Sequence, residues 1–113
     1  MIIDETNNIN IKITKGDSFS FIFEVENMEQ ELKTAYFTCK NNADEKAKLF
    51  QKSLTNGITK LEGGKYIVKL SPRDTELIEV GQYPYDLQIG VDDEIYTIIK
   101  GNLMIDYDVT KEG

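Results

Sequence analysis

The chain contains no histidine and a single cysteine, Cys39, and these two shortages remove most familiar active-site chemistry. Without histidine, Ser-His-Asp and Cys-His arrangements cannot be assembled. Without a second cysteine, neither an intramolecular disulfide nor a His/Cys metal site can be completed within one chain, and a reducing compartment during synthesis is expected. Cys39 itself reads as a small buried hydrophobe, because no histidine stands ready to activate its thiol. Also missing is any apolar run near the ~20 residues that span a bilayer, and any basic region followed by an apolar run and a small-residue cleavage site. The expectation is a soluble protein with no membrane partner. Gly63-Gly64 lacks the Lys-Ser/Thr or further glycines of a phosphate loop and reads as a turn. Cations are in deficit too, with 13 Lys and Arg against 20 Asp and Glu for a formal charge of -7. That balance argues against holding nucleic acid or an anionic membrane by electrostatics, and favours a basic or neutral partner. The acids are scattered over turns and polar faces, as on a solvated acidic surface, so paired-carboxylate chemistry is not indicated. The chain is read as no enzyme, with no catalytic residues, no metal and no cofactor.

What is present is strand patterning. In Gly81 to Gly90 the large residues Tyr83, Tyr85, Leu87 and Ile89 fall on every second position, with Pro84, Asp86 and Gln88 between them. A period of two is what a strand with one buried face requires, and this one reads as central. Upstream, Ser71-Pro72-Arg73-Asp74 has the grammar of a helix start, with Ser71 as N-cap, Pro72 at the first helical position and Asp74 three residues past the cap. One short helical turn therefore feeds the strand. Tyr83, after that corner, stands where sandwich domains place a tyrosine whose hydroxyl ties back to backbone, here near Ser71 to Leu77. Tyr85, deeper in the strand, is expected to send its hydroxyl to solvent.

The other strands follow from the same alternation. Ile9, Ile11 and Ile13 predict a strand over Ile9 to Thr14, with Ile2 and Ile3 as a small added edge. After the Lys15 to Ser18 turn, Phe19, Phe21, Phe23 and Val25 share a core face, and Asn27 to Lys33 is a charged hairpin loop. Ala35, Phe37 and Cys39 mark a third strand. Asn41 to Lys48 reads as loop or short helix. Leu49, Phe50 and Leu54 fall in an edge strand, and Asn56-Gly57 turns the chain into Ile58. Tyr66, Val68 and Leu70 define the strand that ends at Ser71. Finally, Asp92-Asp93 connects to a long strand from Glu94 to about Tyr107, with Ile95, Ile99, Leu103, Ile105 and Tyr107 on its core face and Gly101 as a bulge. The sum is one domain over residues 1–113, all-β, an immunoglobulin-like β-sandwich of about seven antiparallel strands with one short helical turn. Phe19, Phe21, Phe23, Tyr83, Tyr85 and Leu87 are its structural residues. In isolation it is expected to be monomeric or weakly associating, with edge strands available to partners.

Candidate binding residues are few. Asp92, Asp93 and Glu94, joined by Asp106 and Asp108, are weighed as a calcium site, but they lack EF-hand spacing and read better as a solvated hairpin turn. Tyr36 and Tyr96 are exposed-aromatic candidates that could stack on a sugar, meet another subunit or cover their own core.

Three stretches in order, Ile11 to Phe19 (IKITKGDSF), Gly64 to Thr75 (GKYIVKLSPRDT) and Gly81 to Gln88 (GQYPYDLQ), together resemble the immunoglobulin-like N-terminal domain of phage baseplate upper proteins and related phage tail proteins. Tyr96 to Leu103 (YTIIKGNL) and Asp108-Val109-Thr110 fit the same family's ending. The resemblance spans nearly the whole chain and rests on the order of the motifs. It implies a virion structural protein, assembled in the bacterial host cytoplasm, that docks other phage tail or baseplate proteins, as a homo-oligomer or with other subunits, and carries no catalytic residues. Family members often continue into receptor-binding or fibre regions, whereas this chain stops at Gly113 as a stand-alone protein or a fragment. The alternative from the residues alone is a carbohydrate- or host-surface-binding module using Tyr36, Tyr96 and the Asp92 to Glu94 turn.

Overall fold

The computed structural model describes residues 6–25 and 31–107. The expected edge at Ile2 and Ile3, most of the Asn27 to Lys33 loop, Asp108 and the Asp108 to Thr110 ending lie outside the described residues. The strands are β1 (Asn7–Asn8), β2 (Ile11–Thr14), β3 (Phe19–Glu24), β4 (Thr34–Cys39), β5 (Phe50–Leu54), β6 (Gly57–Lys60), β7 (Lys65–Leu70), β8 (Gly81–Val91) and β9 (Glu94–Asp106), with one helical turn, α1 (Pro72–Thr75), between β7 and β8. Their order is β1-β9-β8-β4-β5-β6-β7-β3, with β2 also on β9. The front layer is therefore β9, β8, β4 and β5, the back layer β6, β7 and β3. A short contact of β5 with β6, Ser53 opposite Gly57 and Leu54 opposite Ile58, joins them into one curled sheet.

The count and direction differ from the expected seven antiparallel strands. Nine are present among the described residues, and β1 and β2 both run parallel to β9, as β5 does to β6. The excess comes from splitting. The Ile9 to Thr14 strand breaks at Ile9-Asn10, and positive φ at Thr55 and Gly57 (67° and 99°) divides the next candidate into β5 and β6. β5 is also not an edge, since β4 and β6 flank it. Asn41 to Lys48 forms turns and bends rather than helix.

β8 is central, between β4 and β9, and Tyr83, Tyr85, Leu87 and Ile89 all point into the core with Ala35, Phe37 and Cys39 of β4 and Tyr66, Val68 and Leu70 of β7. In β3 only Phe23 is buried; Phe19 and Phe21 sit at the margin of the core, which corrects the equal weight given to the three rings. Leu32, expected in a solvated loop, is buried and its N–H donates to the Tyr66 hydroxyl at 3.3 Å. The face assignment of β9 holds only for its second half. Between Leu87 and Gln88 the pairing slips by one residue, so Gln88 faces Thr97 while Leu87 faces Ile99, and Ile98 is the extra residue. The bulge lies there, not at Gly101. Before it the odd positions face outward, which leaves Ile95 69% exposed; Tyr107, past the end of the pairing, is 74% exposed.

The corner is built as its sequence predicts. The Ser71 N–H and hydroxyl both donate to the Asp74 carboxylate, at 2.6 and 3.2 Å, and Pro72 opens the turn. Two further ties hold α1 in place. Lys52 of β5 pairs with Asp74 at 2.8 Å, and the buried Thr75 hydroxyl accepts the Gly16 N–H at 3.0 Å. Tyr83 donates to the Glu79 carbonyl at 2.5 Å, four residues upstream and just beyond the expected stretch, as a corner tyrosine does. Tyr85 departs from expectation. Its hydroxyl does not reach solvent but donates to the Ile9 carbonyl at 2.6 Å, across 76 positions of sequence, and burial pushes its pKa up to about 12. Tyr83→Phe and Tyr85→Phe are therefore expected to lose similar stability, about 0.5 to 1.5 kcal/mol each, the net worth of a typical hydrogen bond. Denaturant midpoints at unchanged slope measure both, and a loss confined to Tyr83 would show that the Tyr85 to Ile9 bond adds nothing in solution.

Candidate interaction surface

The polar face of the front sheet is made by the residues that alternate with the core set. Thr38 of β4, Asp86 of β8 and Lys100 of β9 lie side by side across three strands, because Asp86 is in register with both of the others. Around them a groove of about 370 Å³ is lined by Asn8, Lys40, Ala43, Pro84 and Asn102. It is shallow because its floor is the sheet itself. The Asp86 carboxylate is partly buried there, which raises its pKa, while Lys40 pulls the other way. Thr38 is already engaged, its hydroxyl oxygen accepting the Gln51 side-chain amide at 2.9 Å. Just past β1, the Ile9 N–H bonds the Lys100 carbonyl at 2.9 Å, and the Asn10 side-chain oxygen accepts the Asn102 N–H at 3.0 Å.

The residues singled out from sequence do not converge. Tyr36 is opposite Gln88 and Tyr96 opposite Ile89, and since Gln88 and Ile89 are consecutive in β8, the two tyrosines stand on opposite faces of the sheet. Tyr36 is outward and 38% exposed. Tyr96 packs against the edge of the core, and its hydroxyl donates to the Glu94 carboxylate, which pushes the phenol pKa up. Asp92 and Asp93 form the tip of the β8 to β9 hairpin, with Asp92 at φ 55° in the left-handed region that such tight turns need. Asp106 is no part of that tip. It lies at the far end of β9, where the Tyr107 N–H and then Lys12 at 3.3 Å hold its carboxyl below the usual range. Among the described residues no three His, Cys, Asp or Glu side chains gather as a metal site. Cys39 is fully buried in β4 and burial pushes its thiol pKa up to about 12, so it stays protonated and unreactive at neutral pH.

A second depression, of about 470 Å³, lies against Ser18, Phe19, Ser20, Lys69 and Pro72 near the corner. Lys52 also lines it, with its ammonium already paired to Asp74 and both side chains under one-fifth exposed, at 16% and 13%. Asp86, by contrast, reads in the sequence only as one of the residues between the large ones of β8. The available signal was a carboxylate at an outward position in the middle of the most strongly patterned strand, where it is crowded from both sides. Among the described residues no helix is long and apolar enough to cross a membrane.

No protein-family model matches the chain, and no curated protein matches it in sequence. Solved structures do match in shape. The extracellular domain of the voltage-gated sodium channel beta4 subunit, whose parallel homodimers are described as explaining a role in cell-cell adhesion, aligns over 96% of this chain and 99% of its own at 16% identity and a TM-score of 0.45. The NK cell receptor Nkp44, a triggering partner in natural cytotoxicity, aligns over 91% of this chain and 100% of its own at 11% identity and a TM-score of 0.52. An identity this low speaks to architecture alone, and the match to the receptor, with the strand order above, makes the chain an immunoglobulin-like β-sandwich.

Proposed function

We propose that the chain is a structural module of a phage or prophage tail or baseplate, acting through protein–protein contact and without catalysis. The phage part of this reading rests on the ordered resemblance of Ile11 to Phe19, Gly64 to Thr75 and Gly81 to Gln88. The assembly part is supported by where large apolar side chains are presented. The body is elongated, 50 × 31 × 20 Å. At the corner end Leu77 and Tyr107 are 91% and 74% exposed, and at the hairpin end Ile95 is 69% exposed. The three most exposed large apolar groups stand at the two ends, with Ile22 at 56% on the outer face of β3 between them, and this spread, rather than a single concave site, suits a part that meets several neighbours. Partners would be other tail or baseplate proteins or further copies of the chain, and its place would be the virion, after assembly in the host cytoplasm.

The experiment is to induce the producing strain and purify particles. The chain is expected among the particle proteins by mass spectrometry, and deletion of its gene is expected to leave particles with incomplete tails. Complete, infectious particles from the deletion strain, with the wild-type chain found only outside particles, would overturn the reading.

A further inference from the structure

The front-sheet groove holds a carboxylate in a position that the fold itself does not use. Asp86 stands at its centre, partly buried, and among the described residues its side chain has neither a hydrogen-bond donor nor an ion-pair partner. A carboxylate that loses solvent without gaining donors is a net cost to folding, and its two oxygens offer about four acceptor positions. Adjacent Thr38 accepts the Gln51 amide through its hydroxyl oxygen and makes no bond to Asp86. The groove therefore presents an acceptor that none of the surrounding donors engages.

The rim narrows what could supply one. Lys40 and Lys100 flank Asp86, so the lining side chains carry two positive charges against one negative. A guanidinium or ammonium from a partner would face both lysines, and an inorganic anion would face the carboxylate on the floor. A neutral group escapes both penalties. Asn8 and Asn102 each offer a donor and an acceptor on one amide, which matches hydroxyls that must donate and accept at once. Pro84 and Ala43 add apolar surface for C–H groups, and the volume is at the low end of roughly 300 to 1,000 Å³ for small-molecule sites. We propose that this groove is a saccharide-binding site for one or two neutral sugar rings, with Asp86 accepting a pair of ring hydroxyls and Lys40, Lys100, Asn8 and Asn102 completing the contacts. The proposal is independent of the assembly role.

The test is an amide chemical-shift titration of the full chain against a panel of neutral monosaccharides and disaccharides of gluco, galacto and manno configuration, with and without 2-acetamido groups, at tens of millimolar. At least one sugar is expected to move the amides of Thr38, Asp86, Lys100, Gly101 and Asn102 together. Asp86→Asn is expected to weaken that binding about tenfold, equivalent to about 1.4 kcal/mol, at a denaturation midpoint no lower than that of the unmodified chain. Glu24→Gln, on the outer face of the back sheet, is expected to change nothing. Silence across the panel, shifts centred on Tyr36 or the hairpin tip, stronger shifts of the same amides by inorganic phosphate, or undiminished binding by Asp86→Asn would each overturn the site. Were Asp86→Asn to fail to fold, the map of shifts on the unmodified chain decides alone.

Discussion

Phe37→Ala is expected to destabilise the domain by about 3 to 5 kcal/mol, the range for deleting a large ring from a site that cannot collapse. Phe37 is fully buried in β4, between β8 and β5, and its ring is the hub of an aromatic cluster. Tyr85 stands 5.2 Å away between centroids, Phe21 5.6 Å and Phe50 6.0 Å. Each neighbour belongs to a different strand, and those strands are fixed by their ladders, so the hole cannot be filled by a local shift. Such ring pairs add about 0.5 to 1.5 kcal/mol beyond area burial, which places the loss high in the range. Phe21→Ala, at a residue the alternation puts on the same core face as Phe23, is expected to cost only about 2 kcal/mol, because its ring is partly exposed at the margin. Urea denaturation of both variants checks the order. A loss at Phe37 no larger than at Phe21 would show that the ring cluster is not packed around Phe37.

The difference between those two phenylalanines shows how far alternation carries. Period two identifies the inward side of β3 correctly, but not how deep each inward residue sits, because depth depends on how fully its neighbours cover it. Phe23 stacks at 5.3 Å on Tyr66, its cross-strand partner in β7, and is buried, while Phe21 reaches Phe37 of the other layer at 5.6 Å and, like Phe19, stays only half-buried. In β8 the alternation was sufficient, since a strand with partners on both sides has no shallow end. In β9 it failed at Ile95 for a different reason. A single extra residue at Ile98 inverts the inward parity, and nothing in Tyr96-Thr97-Ile98-Ile99 announces on which residue the partner strand will slip.

Contacts between distant parts of the chain were less legible still. The corner was readable because Ser71, Pro72, Asp74 and Tyr83 act over a dozen residues. The Tyr85 hydroxyl finds its acceptor in Ile9, and no local rule connects them. The candidate surface failed in the same way. The sequence marks Tyr36 and Tyr96 alike as exposed aromatics, yet it could not say that their partners Gln88 and Ile89 are neighbours in one strand and so set them back to back. The groove at Asp86 needed three strands in register before Thr38, Asp86 and Lys100 became a row.

Gly101→Ala is expected to cost about 3 kcal/mol, at the upper end for overpacking, and to act on one edge of the sandwich rather than on its core. Gly101 does not have the positive φ that demands glycine, so the constraint is space. A Cβ built there would stand 2.1 Å from the Ile9 carbonyl oxygen and 2.8 Å from its carbon, with the Asn10 side-chain oxygen at 3.2 Å. These are mostly backbone atoms and cannot swing aside as the end of a flexible side chain would. The chain between β1 and β2 must lift, which breaks the Ile9 to Lys100 bond at 2.9 Å and the Tyr85 to Ile9 bond at 2.6 Å. Alanine's lower unfolded-state entropy returns about 0.4 to 1 kcal/mol, too little to change the sign. Hydrogen exchange should show the loss locally, with amides of Lys100 to Asn102 deprotected while those of Phe37 and Leu87 keep their protection. Because both substitutions act through the Ile9 carbonyl, Tyr85→Phe in the Gly101→Ala background is expected to cost almost nothing further, a coupling of about 1 kcal/mol between the two sites. Strictly additive losses would show that the segment stays docked over the alanine and that the contact at Ile9 is not what requires glycine at this position.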